Sequence, residues 1–323
     1  MTSKIVITLP LPDVVVTSLR ERFDVLAWDH PEAMPEATLQ TWLQGSDAIL
    51  CSVGNTISAA TIAGAARQLK VISTISVGVD HIAIDAATVA GIPVGYTPGV
   101  LTDSTADMAL ALMLACTRRI AESDRFVRAG GWQGAWSAGM LLGTDLSRST
   151  VGLLGMGPIG QAVAKRLQGF GATVIAWNRS VKEVPGVDMV DLDALFEQSD
   201  VISLHAALTK DTQHVVSAQR LAQMKDGAIL INTARGGLVD EQALVNELDS
   251  GRLYAGLDVF DREPLSLDSP LLRLENTVLT PHLGSATAAT RQAMMACAIE
   301  NLVAGLMGAR LPCCVNPTVY ENR

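Results

Sequence analysis

The sequence predicts an α/β protein built from two doubly wound, parallel-sheet domains, and three observations carry that expectation. Short runs rich in Val and Ile alternate with longer helical patterns along the chain. These units fall into two series, one before residue 100 and one after residue 150. The composition suits helices packed closely on parallel strands: 49% of the 323 residues are apolar, only 4% are aromatic, and 27 are glycine.

In the first series the predicted strands are "KIVITL", "AILCS", "VISTI" and "IPVGY". The stretch "TDSTADMALALMLACTRRI", Thr102 to Ile120, is apolar on most sides and predicts a buried helix where the two series meet. "AGGWQGAWSAGMLLG", Ala129 to Gly143, predicts an irregular connection. The second series supplies "TVGLL", "TVIAW", "VISL", "AILI" and "TVLT". No repeat of solenoid length interrupts the pattern.

Several function classes are disfavoured at this level. The net charge of -9, with no long basic run, argues against a nucleic-acid surface. No stretch of eighteen uninterrupted apolar residues predicts a membrane span, and "MTSKIVITLP" reads as a strand rather than a secretion signal. A soluble, cytoplasmic protein is expected. The five cysteines are odd in number and lack a Cys-x-x-Cys pair, which disfavours zinc and a disulfide framework; no metal is expected. The adjacent Cys313 and Cys314 are expected to have no functional role, because vicinal pairs rarely bridge without strain.

The first chemical signal is "TVGLLGMGPIGQAVAKRLQGFGATVIAW", Thr150 to Trp177, with Gly155, Gly157 and Gly160 in G-x-G-x-x-G spacing. The spacing alone is a weak signal. Here a strand precedes it, a helix with Ile159, Val163 and Leu167 on one face follows, and a second strand comes next, which is the context a dinucleotide requires. Gly155 permits the tight turn, Gly157 lets a pyrophosphate approach the backbone, and Gly160 lets the helix pack on the strand. The turn residues Met156, Pro158 and Ile159 complete the expected phosphate site at the helix N-terminus.

An acidic residue normally ends the second strand and binds the adenosine ribose hydroxyls. This chain has Asn178, Arg179 and Ser180 there, and no carboxylate before Glu183. An arginine beside a serine hydroxyl favours a 2′-phosphate, so NADP(H) is the expected cofactor and NAD(H) the weaker one.

Three later stretches carry catalytic residue types: "INTARGGLVDEQAL" with Arg235, "AGLDVFDREPL" with Glu263, and "TVLTPHLGSAT" with His282. Arg235 and His282 each follow a predicted strand, and Glu263 sits in the turn after "LYAGLDVF", so all three belong to the carboxyl end of a parallel sheet. Reduction of a 2-oxo acid needs a cation for its carbonyl and carboxylate, a role for the planar fork of Arg235. It also needs a proton donor, suited to His282, and a carboxylate such as Glu263 to orient the imidazole and favour its protonated form. Taken singly, His282 and Glu263 also have structural explanations, as a loop histidine and a turn cap.

Together with the glycine turn, "NTARGGLVDEQAL", "GLDVFDREP" and "PHLGSAT" resemble the D-isomer-specific 2-hydroxyacid dehydrogenase family over nearly the whole chain. The resemblance implies a Rossmann cofactor domain over 101–285 and a flavodoxin-like substrate (lid) domain formed by 1–100 and the return segment 286–323. It implies the roles just given to Arg235, Glu263 and His282. It also implies that Val77 and Gly78 in "ISVGVDHIAID" offer backbone N–H groups to the substrate carboxylate, and that Val53 and Gly54 face the substrate. His81 is expected to anchor that loop. Further cofactor contacts implied by the family are Thr105, His205, Ala206, Ala207, Thr212, Thr233, Ala234, Asp258 and Gly284. Two departures stand out: Pro158 where relatives often carry a basic residue, and Ala207 in place of a common proline.

Within the family, "VLTDSTAD", "AMMACAIENLVAGL" and "CVNPTVY" most resemble glyoxylate/hydroxypyruvate reductases and 2-ketogluconate reductases. NADPH-dependent reduction of glyoxylate, hydroxypyruvate or 2-keto-D-gluconate to the D-2-hydroxy acid is therefore expected, in a homodimer by family analogy. A substrate cleft that closes to exclude water is the expectation for such a fold. Two alternatives use the same scaffold: a dinucleotide-responsive corepressor or scaffold, and a formate- or phosphite-type dehydrogenase. The first lacks an obvious peptide-docking insert here, and the second usually favours NAD.

Overall fold

The computed structural model describes residues 2–180 and 182–321. The chain divides into two units, one made of Met1–Leu101 with Thr287–Arg323, the other of Thr102–Ala286.

The first unit opens with five strands, β1 (Lys4–Ile7), β2 (Asp24–Ala27), β3 (Ala48–Cys51), β4 (Val71–Thr74) and β5 (Val94–Gly95). Helices α1 (Asp13–Arg20), α2 (Glu36–Leu43), α3 (Ala59–Ala65) and α4 (Ile84–Val89) connect them. The strands pair in parallel in the order β2-β1-β3-β4-β5. All four residues of β3 and of β4 are buried, which explains why these strands read as continuous apolar or small runs without alternation. Ser58 caps α3 by accepting the Thr61 N–H at 3.1 Å.

The second unit begins with α5 (Thr102–Thr117) and α6 (Ile120–Arg128). The helix expected over Thr102–Ile120 thus stops at Thr117. Arg119 enters the left-handed region (φ 51°), and its guanidinium grips Glu122 in the first turn of α6 through contacts of 2.6 and 2.7 Å. Residues 129–145 then run without helix or strand, as their glycines predict.

A seven-stranded parallel sheet follows, from β6 (Thr150–Leu154), β7 (Thr173–Trp177), β8 (Asp188–Met189), β9 (Val201–Leu204), β10 (Ile229–Asn232), β11 (Tyr254–Leu257) and β12 (Thr277–Leu279). Its order is β12-β11-β10-β9-β6-β7-β8, so the direction of winding reverses at β6, which pairs with β7 on one side and β9 on the other. That reversal creates the crevice in which such sheets bind ligands. Helices α7 (Pro158–Phe170), α8 (Leu192–Gln198), α9 (Ala218–Gln223) and α10 (Glu241–Asp249) complete the unit. Finally α11 (Ala288–Leu306), capped by Thr287, returns to the first unit.

Three strands lie outside the predicted set: β2, β8 and β11. β2 and β8 are short edge strands beginning with Asp24 and Asp188. β11 contains Gly256, which weakens the strand pattern. A Cβ at Gly256 would meet Leu112 at 3.1 Å and Cys116 at 3.2 Å, so the glycine lets α5 lie against the sheet. Among the described residues, no helix is long and apolar enough to cross a membrane.

Candidate active site

The glycine turn leaves β6 at Leu154. Gly155 has φ +104°, and a Cβ there would lie 2.7 Å from the Ala206 nitrogen. A Cβ on Gly160 would strike the Gly155 carbonyl at 2.1 Å. Both glycines are therefore demanded by the protein's own backbone. Gly157 is different: nothing in the protein lies within 4 Å of a Cβ placed there. The protein thus leaves open the space over Gly157, the side from which a pyrophosphate would approach the turn. Gly157 is the N-cap of α7, no side chain caps that end, and Pro158 occupies the first turn, where its missing N–H costs the helix nothing. The residues present thus fit a dinucleotide.

At the end of β7, Asn178 turns back onto the glycine turn. Its Oδ1 accepts the Met156 N–H at 3.0 Å, and its Nδ2 donates to the Ser180 carbonyl and hydroxyl at 2.7 and 3.1 Å. Arg179 is exposed. Lys182, which the sequence reading passed over, donates from Nζ to the Met156 carbonyl at 3.0 Å. The segment after β7 therefore brings a second cation to the turn. Its signal was a lysine three residues beyond Arg179.

The loop after β9 forms the opposite wall of the turn. His205 points inward: Nε2 lies 2.9 Å from Ser203 Oγ, and burial pulls the imidazole down to about 4, so it is neutral. Its side chain supports the loop, and the backbone at His205 and Ala206 is what borders Gly155. Thr212 Oγ1 donates to the Ala207 carbonyl at 2.7 Å and so closes the loop where a proline is common.

Arg235 follows β10. Asn232, the last residue of that strand, accepts the Ala234 N–H at 3.0 Å and donates to the Arg235 carbonyl at 2.8 Å. Arg235 Nη1 donates to the Ala234 carbonyl at 2.9 Å. Gly236 sits so close to the next turn that a Cβ would fall 1.9 Å from the Phe260 carbonyl carbon. Only glycine allows the Arg235 turn to abut the turn leading to Glu263. Thr233 Oγ1 is buried without a hydrogen-bond partner among the described residues.

Glu263 and His282 meet directly: Nδ1 of the imidazole lies 2.7 Å from Oε2 of the carboxylate. The other oxygen, Oε1, accepts the Phe260 N–H at 3.1 Å. Burial tends to raise the Glu263 carboxyl, but the hydrogen bond and charge of His282, the Phe260 N–H and the charge of Arg235 together hold it below its ordinary value. Arg235, Glu263 and His282 are thereby gathered at the carboxyl end of one sheet.

His282 has φ 55°, uncommon for a residue with a Cβ. Asp258 fixes that conformation. Its carbonyl accepts the His282 N–H at 2.8 Å. Its carboxylate accepts the Thr280 hydroxyl at 2.6 Å and the Leu283 and Gly284 N–H groups at 2.7 Å each. Asp258 is thus a buried anchor for the histidine loop, with both oxygens engaged inside the protein. Thr105 Oγ1 donates to the Gly284 carbonyl at 3.3 Å, which joins the start of α5 to the same loop.

Val53, Gly54, Val77 and Gly78 lie in the first unit, on the loops after the neighbouring strands β3 and β4. Ser76 Oγ donates to the Gly78 carbonyl at 2.7 Å and meets Thr74 Oγ1 at 2.7 Å, which in turn lies 3.1 Å from His81 Nε2. His81 anchors this loop, and Thr74 and Ser76 are additional supports that the sequence reading did not single out.

The chain is similar to known proteins over nearly its whole length. The model of the "D-isomer specific 2-hydroxyacid dehydrogenase, NAD binding domain" matches residues 110–284. A glyoxylate reductase of Thermofilum pendens is 42% identical over 99% of this chain and 96% of its own. The TT0316 protein of Thermus thermophilus superposes with a TM-score of 0.89 at 45% identity, covering 97% of this chain and 99% of that one. An NADPH-dependent glyoxylate/hydroxypyruvate reductase of Sinorhizobium meliloti, solved with NADP and malonate, gives 0.86 at 30% identity and 98% coverage of both.

Proposed function

Because this chain belongs to the D-isomer specific 2-hydroxyacid dehydrogenase family, we propose that it is an NADPH-preferring reductase of glyoxylate, hydroxypyruvate or 2-keto-D-gluconate. The observation that carries the reading is the 2.7 Å pairing of His282 with Glu263 beside Arg235.

A bound nicotinamide supplies the hydride. Arg235 holds the substrate carboxylate and polarises the oxo group with its fork of N–H donors. His282 gives the proton from Nε2 to the developing alkoxide, since Nδ1 is committed to Glu263. Glu263 orients the ring through its 2.7 Å contact with Nδ1, while Asp258 fixes the loop that carries it. We assign Val77 and Gly78, with Val53 and Gly54, to substrate binding by the loops of the first unit.

The NADPH preference rests on the absence of a carboxylate at Asn178–Ser180 and on two cations, Arg179 and Lys182, around the end of β7. The Sinorhizobium relative, described as NADPH-dependent, agrees with it. We also infer a homodimer formed through the second unit. Trp132, Trp136 and Leu142 are 59%, 80% and 66% exposed on the irregular segment 129–145, an apolar display that a second subunit would cover.

The test is to mix the protein with NADPH and a panel of 2-oxo acids and follow absorbance at 340 nm. Rapid oxidation with glyoxylate or hydroxypyruvate is expected. Silence across the panel overturns the reading, and faster turnover with NADH overturns the cofactor preference.

A further inference from the structure

Cys297, on α11, brings its sulfur to 3.9 Å from that of Cys313, sixteen residues further along the chain. Both side chains are partly exposed. The surrounding backbone holds them there. Asn301, one helical turn beyond Cys297, donates from Nδ2 to the Tyr96 carbonyl at 3.0 Å and accepts the Cys313 N–H at 2.9 Å. The Tyr96 N–H donates to the Cys313 carbonyl at 3.3 Å, and the Val315 N–H to the Val94 carbonyl at 2.9 Å. Asn301 is fully buried against Gly95, where a Cβ would meet it at 2.6 Å. Cys313 is therefore pinned both to α11 and to β5, and the approach of the two sulfurs does not depend on a loose tail.

The other three thiols are placed differently. Cys51 and Cys116 are buried, and burial pushes both up to about 12, which makes them inert. Cys314 donates its S–H to Asn316 Oδ1 at 3.4 Å. A bridge between the adjacent Cys313 and Cys314 would be strained.

We propose that Cys297 and Cys313 form an oxidation-responsive dithiol, which a hydroperoxide converts into a disulfide that ties the C-terminal segment to α11. One thiol attacks the peroxide O–O bond; an S–O bond forms, and the other oxygen leaves as water or an alcohol with the thiol proton. The second thiol then attacks the sulfenic sulfur. The S–S bond forms, the S–O bond breaks, and hydroxide leaves with the second proton as water. Two electrons pass from the sulfurs to the peroxide. The sulfurs must close by about 2 Å to reach disulfide length, a movement within the range of side-chain rotation. Burial, and then the neighbouring Cys313, raise the Cys297 thiol to about 11, so the reaction is slow at neutral pH and quickens with alkalinity.

The test treats the full-length protein with hydrogen peroxide, counts free thiols in denaturant, and maps cross-linked peptides by mass spectrometry. Free thiols are expected to fall from five to three. A Cys297–Cys313 peptide should appear, and the melting temperature should rise by several degrees, reversibly with dithiothreitol. Cys314→Ser should behave in the same way, whereas Cys297→Ser and Cys313→Ser should lose the cross-link. Retention of all five thiols overturns the proposal, as does a Cys313–Cys314 link or thiol loss that dithiothreitol cannot reverse.

Discussion

Nδ1 of His282 and Oε2 of Glu263 stand 2.7 Å apart, which leaves Nε2 as the ring nitrogen not committed to the carboxylate. His282→Gln should therefore lower kcat for glyoxylate reduction by about 10²–10⁴-fold. Glu263→Gln should cost less, about tenfold in kcat with KM little changed, because the amide holds the ring only through a neutral hydrogen bond. Steady-state rates with glyoxylate decide it. A Glu263→Gln enzyme with the parent's kcat would remove the orienting role.

Asn232 braces the Arg235 turn from behind, donating to the Arg235 carbonyl at 2.8 Å and accepting the Ala234 N–H at 3.0 Å. Arg235→Ala should abolish measurable turnover and weaken competitive inhibition by a dicarboxylate such as malonate. NADPH binding, followed by nicotinamide fluorescence, should persist. Normal kinetics in this variant would exclude the assignment.

On the proposed NADPH preference, Arg179 and Lys182 should make separable contributions to the adenosine end. Arg179→Ala should raise KM for NADPH roughly tenfold or more, as expected for loss of a charge-assisted contact. KM for NADH should hardly change. Lys182→Ala should act in the same direction and more weakly, since its ammonium also serves the Met156 carbonyl. Equal changes for both cofactors would show that these cations do not read the 2′-phosphate.

Gly155 and Gly157 should respond differently to the same methyl group. Gly155→Ala forces a Cβ against Ala206 at φ +104° and should lower thermal stability by about 2 kcal/mol or more. Gly157→Ala should leave the melting temperature nearly unchanged while weakening NADPH binding. Calorimetry alongside cofactor titration separates the two, and a destabilised Gly157→Ala protein would contradict the open surroundings of that residue.

His205 is neutral in the fold, with its pKa pulled from 6.5 down to about 4 by burial. Below pH 6.5 the unfolded chain takes up a proton there that the folded chain refuses. Stability should therefore fall as pH drops from about 6.5 to about 4, by on the order of 3 kcal/mol in all. The lowered Glu263 carboxyl has the same sign and acts at more acidic pH, as protonation removes its advantage below its ordinary 4.5. Urea titrations should show a shallower decline over the upper window in His205→Asn. An unchanged slope would mean that the histidine is not what the fold protects.

The parallel sheets could be read from the chain because their central strands, such as "AILC" and "VISL", are buried on both faces and so uniformly apolar or small. The edge strands β2 and β8 could not, because they are short and their signal comes only from pairing with a neighbour. The same division runs through the site. Residues that sit in recognisable motifs, such as Gly155, Arg235 and His282, stand out in one dimension. Residues that hold them, such as Asn232, Gly236, Thr280 and Lys182, matter through partners 3 to 26 positions away. Asp258 shows the boundary: the family resemblance brings it to notice, while its bonds to Thr280, Leu283 and Gly284 are visible only in the fold.

The first unit takes its final pieces from the last residues of the chain. Gly305 of α11 presses on Val71 so closely that a Cβ would lie 2.5 Å from it. Ser73 donates to the Ala298 carbonyl at 2.7 Å, and Val315 pairs with Val94. During synthesis the order of emergence is therefore inverted relative to the order of completion. Thr102–Ala286 leaves the ribosome as one uninterrupted piece and can fold as it appears, whereas the five-stranded sheet made first must wait for α11 and the segment that follows it.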